Sequence, residues 1–178
     1  VYFITLQVIA WVDIFSRECY RKVIVENLIY CQNNKGLEIY AWVIMSNHVH
    51  LIVKSANNNL SGTLRDFKSY TSKVILEMIT NNAESRKEWM LRLFKEQSYN
   101  HKRNSLYQFW THENHAVFIF SEKFMWQKLK YIHENPVRAG IVRKPEDYQY
   151  SSAVNYYDDG VEGLIDIIKV FIGWKTYS

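Results

Sequence analysis

Two apolar runs, Glu38 to Met45 and His48 to Lys54, are separated by nothing more than Ser46-Asn47. Runs rich in β-branched and aromatic residues, broken by two small polar ones, read as neighbouring strands joined by a tight turn. The second strand opens on Met45-Ser46-Asn47-His48-Val49-His50-Leu51-Ile52-Val53. Side chains alternate faces along an extended strand, so His48 and His50 point one way while Val49 and Leu51 point into the core. Two imidazoles side by side form half of a metal site. Strand histidines with ordinary backbone or solvent partners are the other reading, and the spacing alone does not separate the two.

The flanking chain supplies the remaining elements. Tyr2 to Ile9 predicts a first strand. Ser16, with Glu18 in the first turn, predicts the cap of a helix running to about Asn34. Val23, Ile24, Leu28 and Cys31 form its buried stripe, and Gly36 supplies a left-handed stop. Beyond a polar loop at Asn57 to Gly62, Thr63 with Asp66 resembles a capping box and predicts a helix to about Asn81. Its Leu64, Phe67, Val74, Ile75 and Met78 are expected inside, and Arg65, Lys68 and Ser72 make a polar stripe.

Residues 82–108 interrupt this pattern and read as an insertion. A charged segment, Glu84 to Gln97, predicts a short helix around Trp89, Leu93 and Phe94. The polar loop Ser98 to Ser105 follows, and its His101, Lys102 and Arg103 suggest an electrostatic contact zone. Phe109-Trp110-Thr111-His112 and Ala116 to Phe120 suggest a fourth strand with irregular flanks. Ser121 then starts a helix with the core stripe Met125, Leu129 and Ile132, and Pro136 predicts its end near Asn135. Gly140 and Pro145 mark turns, and a last helix is expected around Leu164 to Phe171, within a C-terminal extension at 154–178.

This order of strands and helices is that of an α+β, ferredoxin-like or RNA-recognition-type antiparallel sheet, with helices packed on one face and the other face free for nucleic acid. At 178 residues, without repeats or linkers, a single domain over 1–178 is expected. The net charge of +4 permits a polyanionic partner without requiring one, and the 16% aromatic content suits either a core or base stacking. No run approaches the ~20 apolar residues of a membrane span. Cys19 and Cys31 lie ~18 Å apart along one helix, beyond disulfide reach, and fit reduced thiols of a cytoplasmic protein. No signal peptide is visible, and Val1 lies almost inside a strand, which allows for further native residues before it.

Tyr131 and Asn135 stand four apart on the predicted helix and share a face, roughly 90–130° around from the core stripe. With His48 and His50, the Asn135 amide oxygen makes a hard third ligand that suits Mg²⁺ or Mn²⁺ over a closed zinc cage. Such a site can polarise a phosphodiester and hold it in line for attack. A tyrosine one turn from a ligand is then a candidate nucleophile, and its product is a phosphotyrosyl ester that keeps the bond energy for rejoining.

Three segments together resemble the single-tyrosine HUH transposases, in particular the REP-associated tyrosine transposases. They are Ala41 to Ile52, Phe109-Trp110-Thr111-His112, and Tyr131-Ile132-His133-Glu134-Asn135-Pro136-Val137-Arg138-Ala139-Gly140. The stretch Pro145 to Ser152 is similar too, so the likeness spans about residues 1–153. The resemblance implies that His48, His50 and Asn135 hold Mg²⁺ or Mn²⁺ and that Tyr131 attacks single-stranded DNA near hairpins, leaving a 5′-phosphotyrosine link and a free 3′-hydroxyl. Trp110 and His112 are expected to support the site or to contact DNA, and Arg65, Lys68, Lys102 and Arg103 are candidate DNA contacts, an ordinary solvated surface being the other reading of those four. Both a homodimer with shared sites and a self-sufficient single chain occur in the family it resembles.

Two other classes compete. A domesticated, non-catalytic single-stranded DNA- or RNA-binding regulator would keep the sheet without the chemistry, and the intact His48, His50 and Tyr131 speak against it. A zinc hydrolase would have to recruit His112, His133 or Glu134. A two-histidine phosphoesterase needs a second His-x-Thr/Ser repeat, and His112 is followed by Glu113 and Asn114.

Overall fold

A computed structural model describes residues 1–99, 106–158 and 161–170. Four strands, β1 (Tyr2–Gln7), β2 (Leu37–Ile44), β3 (His48–Ser55) and β4 (Val117–Phe118), form one antiparallel sheet in the order β2-β3-β1-β4. The helices are α1 (Glu18–Lys35), α2 (Leu60–Asn81), α3 (Lys87–Tyr99), α4 (Glu122–Arg138) and α5 (Ala153–Tyr157). This is the expected α+β antiparallel sheet, but the helices do not all pack on one face. Helix α4 covers the histidine face, where Val43 and Ile52 are wholly buried, so that face is not left free.

The register between β1 and β3 places Phe3 opposite Ile52, Thr5 opposite His50 and Gln7 opposite His48. Paired residues in an antiparallel ladder share a face, so Phe3 and Thr5 lie beside the two histidines. Ile4, Leu6, Val49 and Leu51 occupy the other face and are wholly buried. The α1 stripe Val23, Ile24, Leu28 and Cys31 is buried as the periodicity predicts, and α1 packs against α2. Gly36 ends α1 at φ 63°, a left-handed conformation that residues with a Cβ rarely adopt. Over the histidine face lies α4, its Tyr131 ring 5.9 Å from that of Phe3.

Several boundaries differ from expectation, each because a competing interaction wins locally. The cap of α1 is Arg17 without a side-chain bond, since Ser16 is taken into a single 3₁₀ turn with the buried Ile14 and Phe15. Helix α2 begins earlier than Thr63: Asn59 is its cap and accepts from the Gly62 N–H at 3.2 Å. The Thr63 hydroxyl then bonds back to the Asn59 carbonyl, and Asp66 is drawn across to Lys35 on α1.

Ser121 does cap α4, accepting from the Phe124 N–H, but Pro136 lies inside the helix rather than beyond its end. The missing N–H of a proline costs one hydrogen bond. Its burial, and a terminus in which the N–H groups of Gly140 and Ile141 donate to Val137 and Pro136 at 2.9 Å each, offset that loss. The fourth strand shrinks to Val117–Phe118, because the chain from 109 to 114 follows the β1 edge only through separate bonds, such as Thr111 N–H to Gln7 and Thr5 N–H to Asn114. The expected last helix does not form over 164–170. That stretch is held instead by the Ile168 N–H on the Ile39 carbonyl and by Gln32 on the Asp166 carbonyl, while Phe171 is outside the described residues.

Candidate active site

The turn and the strand pairing fix the two imidazoles before any ligand arrives. Their ring centres are 4.6 Å apart. His48 Nδ1 lies 2.6 Å from Asn47 Oδ1, an acceptor only, which puts the ring proton on Nδ1 and leaves the Nε2 lone pair. His50 Nδ1 is 2.8 Å from the Thr5 hydroxyl, and the ring is stacked on Phe3. His50 is 5% exposed, and its Nε2 is buried without a hydrogen-bond partner. Burial holds both imidazoles below their usual pKa. His50 is pushed down to about 3 by burial first, then by His48, Lys128 and Arg138. Both rings are therefore neutral at neutral pH, the state that binds a metal.

Tyr131 reaches this pair from α4. Its ring centre is 5.2 Å from that of His50, edge to face, and the residue is 37% exposed. The same helix brings three further groups. Asn135 donates through Nδ2 to the Tyr131 carbonyl at 2.9 Å, leaving Oδ1 as the side-chain atom open to a ligand. Arg138 donates to that carbonyl at 3.0 Å, with its guanidinium 4.7 Å from the centre of the Tyr131 ring. Lys128 sets its ammonium over Phe3 and 5.8 Å from the Tyr131 ring centre.

His48, His50 and Tyr131 thus come together, and Asn135 stands beside the tyrosine. The expected DNA contacts fare differently. Trp110 is a core residue, 5% exposed, with its indole N–H donating to Thr71 at 3.1 Å, which removes it from the surface. Lys68 spends its ammonium on the Thr111 and His112 carbonyls and on Asn114 Oδ1, clamping that loop to α2. His112 is exposed in this loop. Arg65 is exposed and bonded to Asp66. Lys102 and Arg103 lie outside the described residues.

Other tyrosines near the C-terminus are occupied elsewhere: Tyr148 donates to the Ile44 carbonyl and Tyr156 to that of Tyr40. His133 is wholly buried on Ser152, and Glu134 pairs with Lys130, so neither completes a hydrolase site.

Sequence reasoning missed Phe3, Thr5, Lys128 and Arg138. The first two become neighbours only through strand pairing. The other two were open to it, since Lys128 is three residues before Tyr131 and Arg138 seven after, on the same side of a helix.

The donor set fits a divalent ion. Two neutral imidazoles have Nδ1 held by protein oxygens, the usual way in which a ligating histidine is oriented, and the orphaned His50 Nε2 lacks any other partner. Among the described residues no cluster of three or more His, Cys, Asp or Glu side chains forms.

Residues 4–135 match a family described as "Transposase IS200 like", and the chain belongs to that family. A solved structure described as the REP-associated tyrosine transposase bound to a REP hairpin has the same fold. It superposes with a TM-score of 0.62 over 99% of this chain and 92% of that one, at 18% identity. No curated protein matches the chain in sequence. No helix among the described residues is long and apolar enough to cross a membrane.

Proposed function

We propose that this transposase is a metal-dependent strand transferase that cuts and rejoins single-stranded DNA near hairpins through a covalent 5′-phosphotyrosine. The observation that carries the reading is the Tyr131 ring lying 5.2 Å from His50, delivered by a helix onto a strand. Both groups belong to one chain. The hairpin substrate draws support from the solved relative, which is described with a REP hairpin bound.

His48 and His50 would hold Mg²⁺ or Mn²⁺ through Nε2, with Asn135 Oδ1 as the third donor. The bound ion supplies Lewis-acid polarisation of the phosphodiester. The Tyr131 phenol loses its proton and its oxygen attacks phosphorus. The bond to the 3′-oxygen breaks, that oxygen leaves as a hydroxyl, and the 5′-phosphate stays on the tyrosine. One diester replaces another, so attack by a 3′-hydroxyl reverses the step without an external energy source.

The test is an SDS-resistant protein–DNA adduct formed from hairpin-flanked single-stranded DNA with Mg²⁺ or Mn²⁺. Tyr131→Phe should abolish the adduct and leave binding within about twofold, and His48→Ala should lose both metal response and cleavage. An adduct that survives in Tyr131→Phe moves the nucleophile to another tyrosine. Binding without any adduct across a panel of hairpins would instead favour the non-catalytic regulator.

A further inference from the structure

On α4, Phe124, Lys128 and Tyr131 follow one another at intervals of four and three, so they line one side of the helix. The helical rise separates Phe124 from Tyr131 by about 10 Å. Phe120, just ahead of the helix, extends the line: its ring stacks on Phe124 with centres 5.0 Å apart and planes 19° from parallel. Phe120 is 75% exposed. Between the phenylalanine pair and the tyrosine sits the Lys128 ammonium, 5.2 Å from the Phe124 ring centre and 5.8 Å from that of Tyr131. Val117, paired with Phe3, shares the histidine face and is exposed beside them.

An aromatic stack that ends in a cation and then a phenol has the features of a single-strand binding track. Bases stack on rings without regard to sequence, and a cation takes the backbone phosphate. We propose that an unpaired base flanking the cleaved phosphodiester stacks on the open face of Phe120, whose other face is backed by the half-buried Phe124, while Lys128 takes the phosphate between that base and Tyr131. The inference rests on the proposed function and assigns that site its flanking-strand track. Nucleic acid fits better than a second copy of the chain. The strip carries a cation at its middle and runs directly into the site, whereas the adjoining edge strand β4 is two residues long and offers little backbone for pairing with another sheet.

The test uses the Tyr131→Phe variant of this chain, expected to bind without cutting, and a labelled hairpin with or without an unpaired flank carrying 2-aminopurine. Phe120→Ala should weaken binding of the flanked hairpin about tenfold, leave the blunt hairpin within about twofold, and abolish the quenching of 2-aminopurine seen without it. Lys128→Met should lower the salt dependence of flanked binding by about one in log–log slope. Equal affinities and unchanged quenching in Phe120→Ala overturn the proposal. So does a dimer in sedimentation that Phe120→Ala dissolves, which would give the strip to a second copy. The adduct assay separates the two readings. An adduct in the wild type with no flank effect removes the track alone, and a flank effect with no adduct removes the chemistry alone.

Discussion

The Thr5 hydroxyl sits 2.8 Å from His50 Nδ1, across the pairing of the first strand with the third. That contact does for His50 what Asn47 does for His48: it occupies one ring nitrogen and leaves the other for a ligand. The two oxygens have different origins. One comes from the turn next to the histidines, the other from a strand that meets them only in the folded sheet.

Thr5→Val keeps the shape and removes the oxygen. Loss of such an orienting partner typically costs about 10–100-fold in metal affinity. Titration calorimetry with Mn²⁺ should show that loss with the fold intact by circular dichroism. Affinity equal to wild type would mean that stacking on Phe3 alone orients the ring.

Acid should destabilise the protein through its buried histidines. His133, like His50, is pushed down to about 3, here by burial alone. In the unfolded chain a histidine titrates near ~6.5, so below that pH the unfolded state binds a proton that the folded state refuses. The stability is whole above about pH 6.5 and is lost as pH falls towards 3. Removing His133 as His133→Phe should reduce the loss between pH 7 and pH 5 by ~2 kcal/mol in urea unfolding. An identical pH dependence in the variant would show that His133 takes up its proton while folded.

Trp110→Phe separates packing from recognition. The indole N–H to Thr71 is lost and a gap opens near Phe15 and Phe109, so denaturant unfolding should show a loss of about 1–3 kcal/mol. Hairpin binding measured well below the midpoint should stay within about twofold. A binding defect out of proportion to the unfolded fraction would restore Trp110 as a DNA contact.

Gly140→Ala tests how α4 ends. Gly140 has φ 70°, and an added Cβ would meet nothing within 4 Å, so the penalty is confined to the backbone. A cost of about 1–2 kcal/mol is expected, read as a lowered Tm. A neutral result would mean that the end of α4 relaxes to a right-handed turn at no cost.

How much was legible follows the range of each interaction. The strand alternation of His48 and His50, the four-residue spacing of Tyr131 and Asn135, and the αL stop at Gly36 are local, and each stands in the fold where the pattern put it. The caps expected at Ser16 and Thr63 do not form, because a propensity of about 1 kcal/mol yields to burial of Ile14 and Phe15, or to Asn59 a turn earlier. Trp110 and Lys68 are candidate DNA contacts by sequence but not in the fold, since a sequence does not reveal which indole finds Thr71 or which ammonium finds three loop oxygens.

By itself, then, the sequence determined the hairpin, the shared face of the two imidazoles and the helix that carries the tyrosine, because periodicity along the chain sets side-chain direction. Only the tertiary structure decided that Tyr131 meets His50, that Thr5 and Phe3 hold that ring, and that Lys128 and Arg138 stand beside the phenol. Those contacts join distant segments, and they exist only once the pairing of β1 with β3 and the packing of α4 on the sheet have fixed which faces meet.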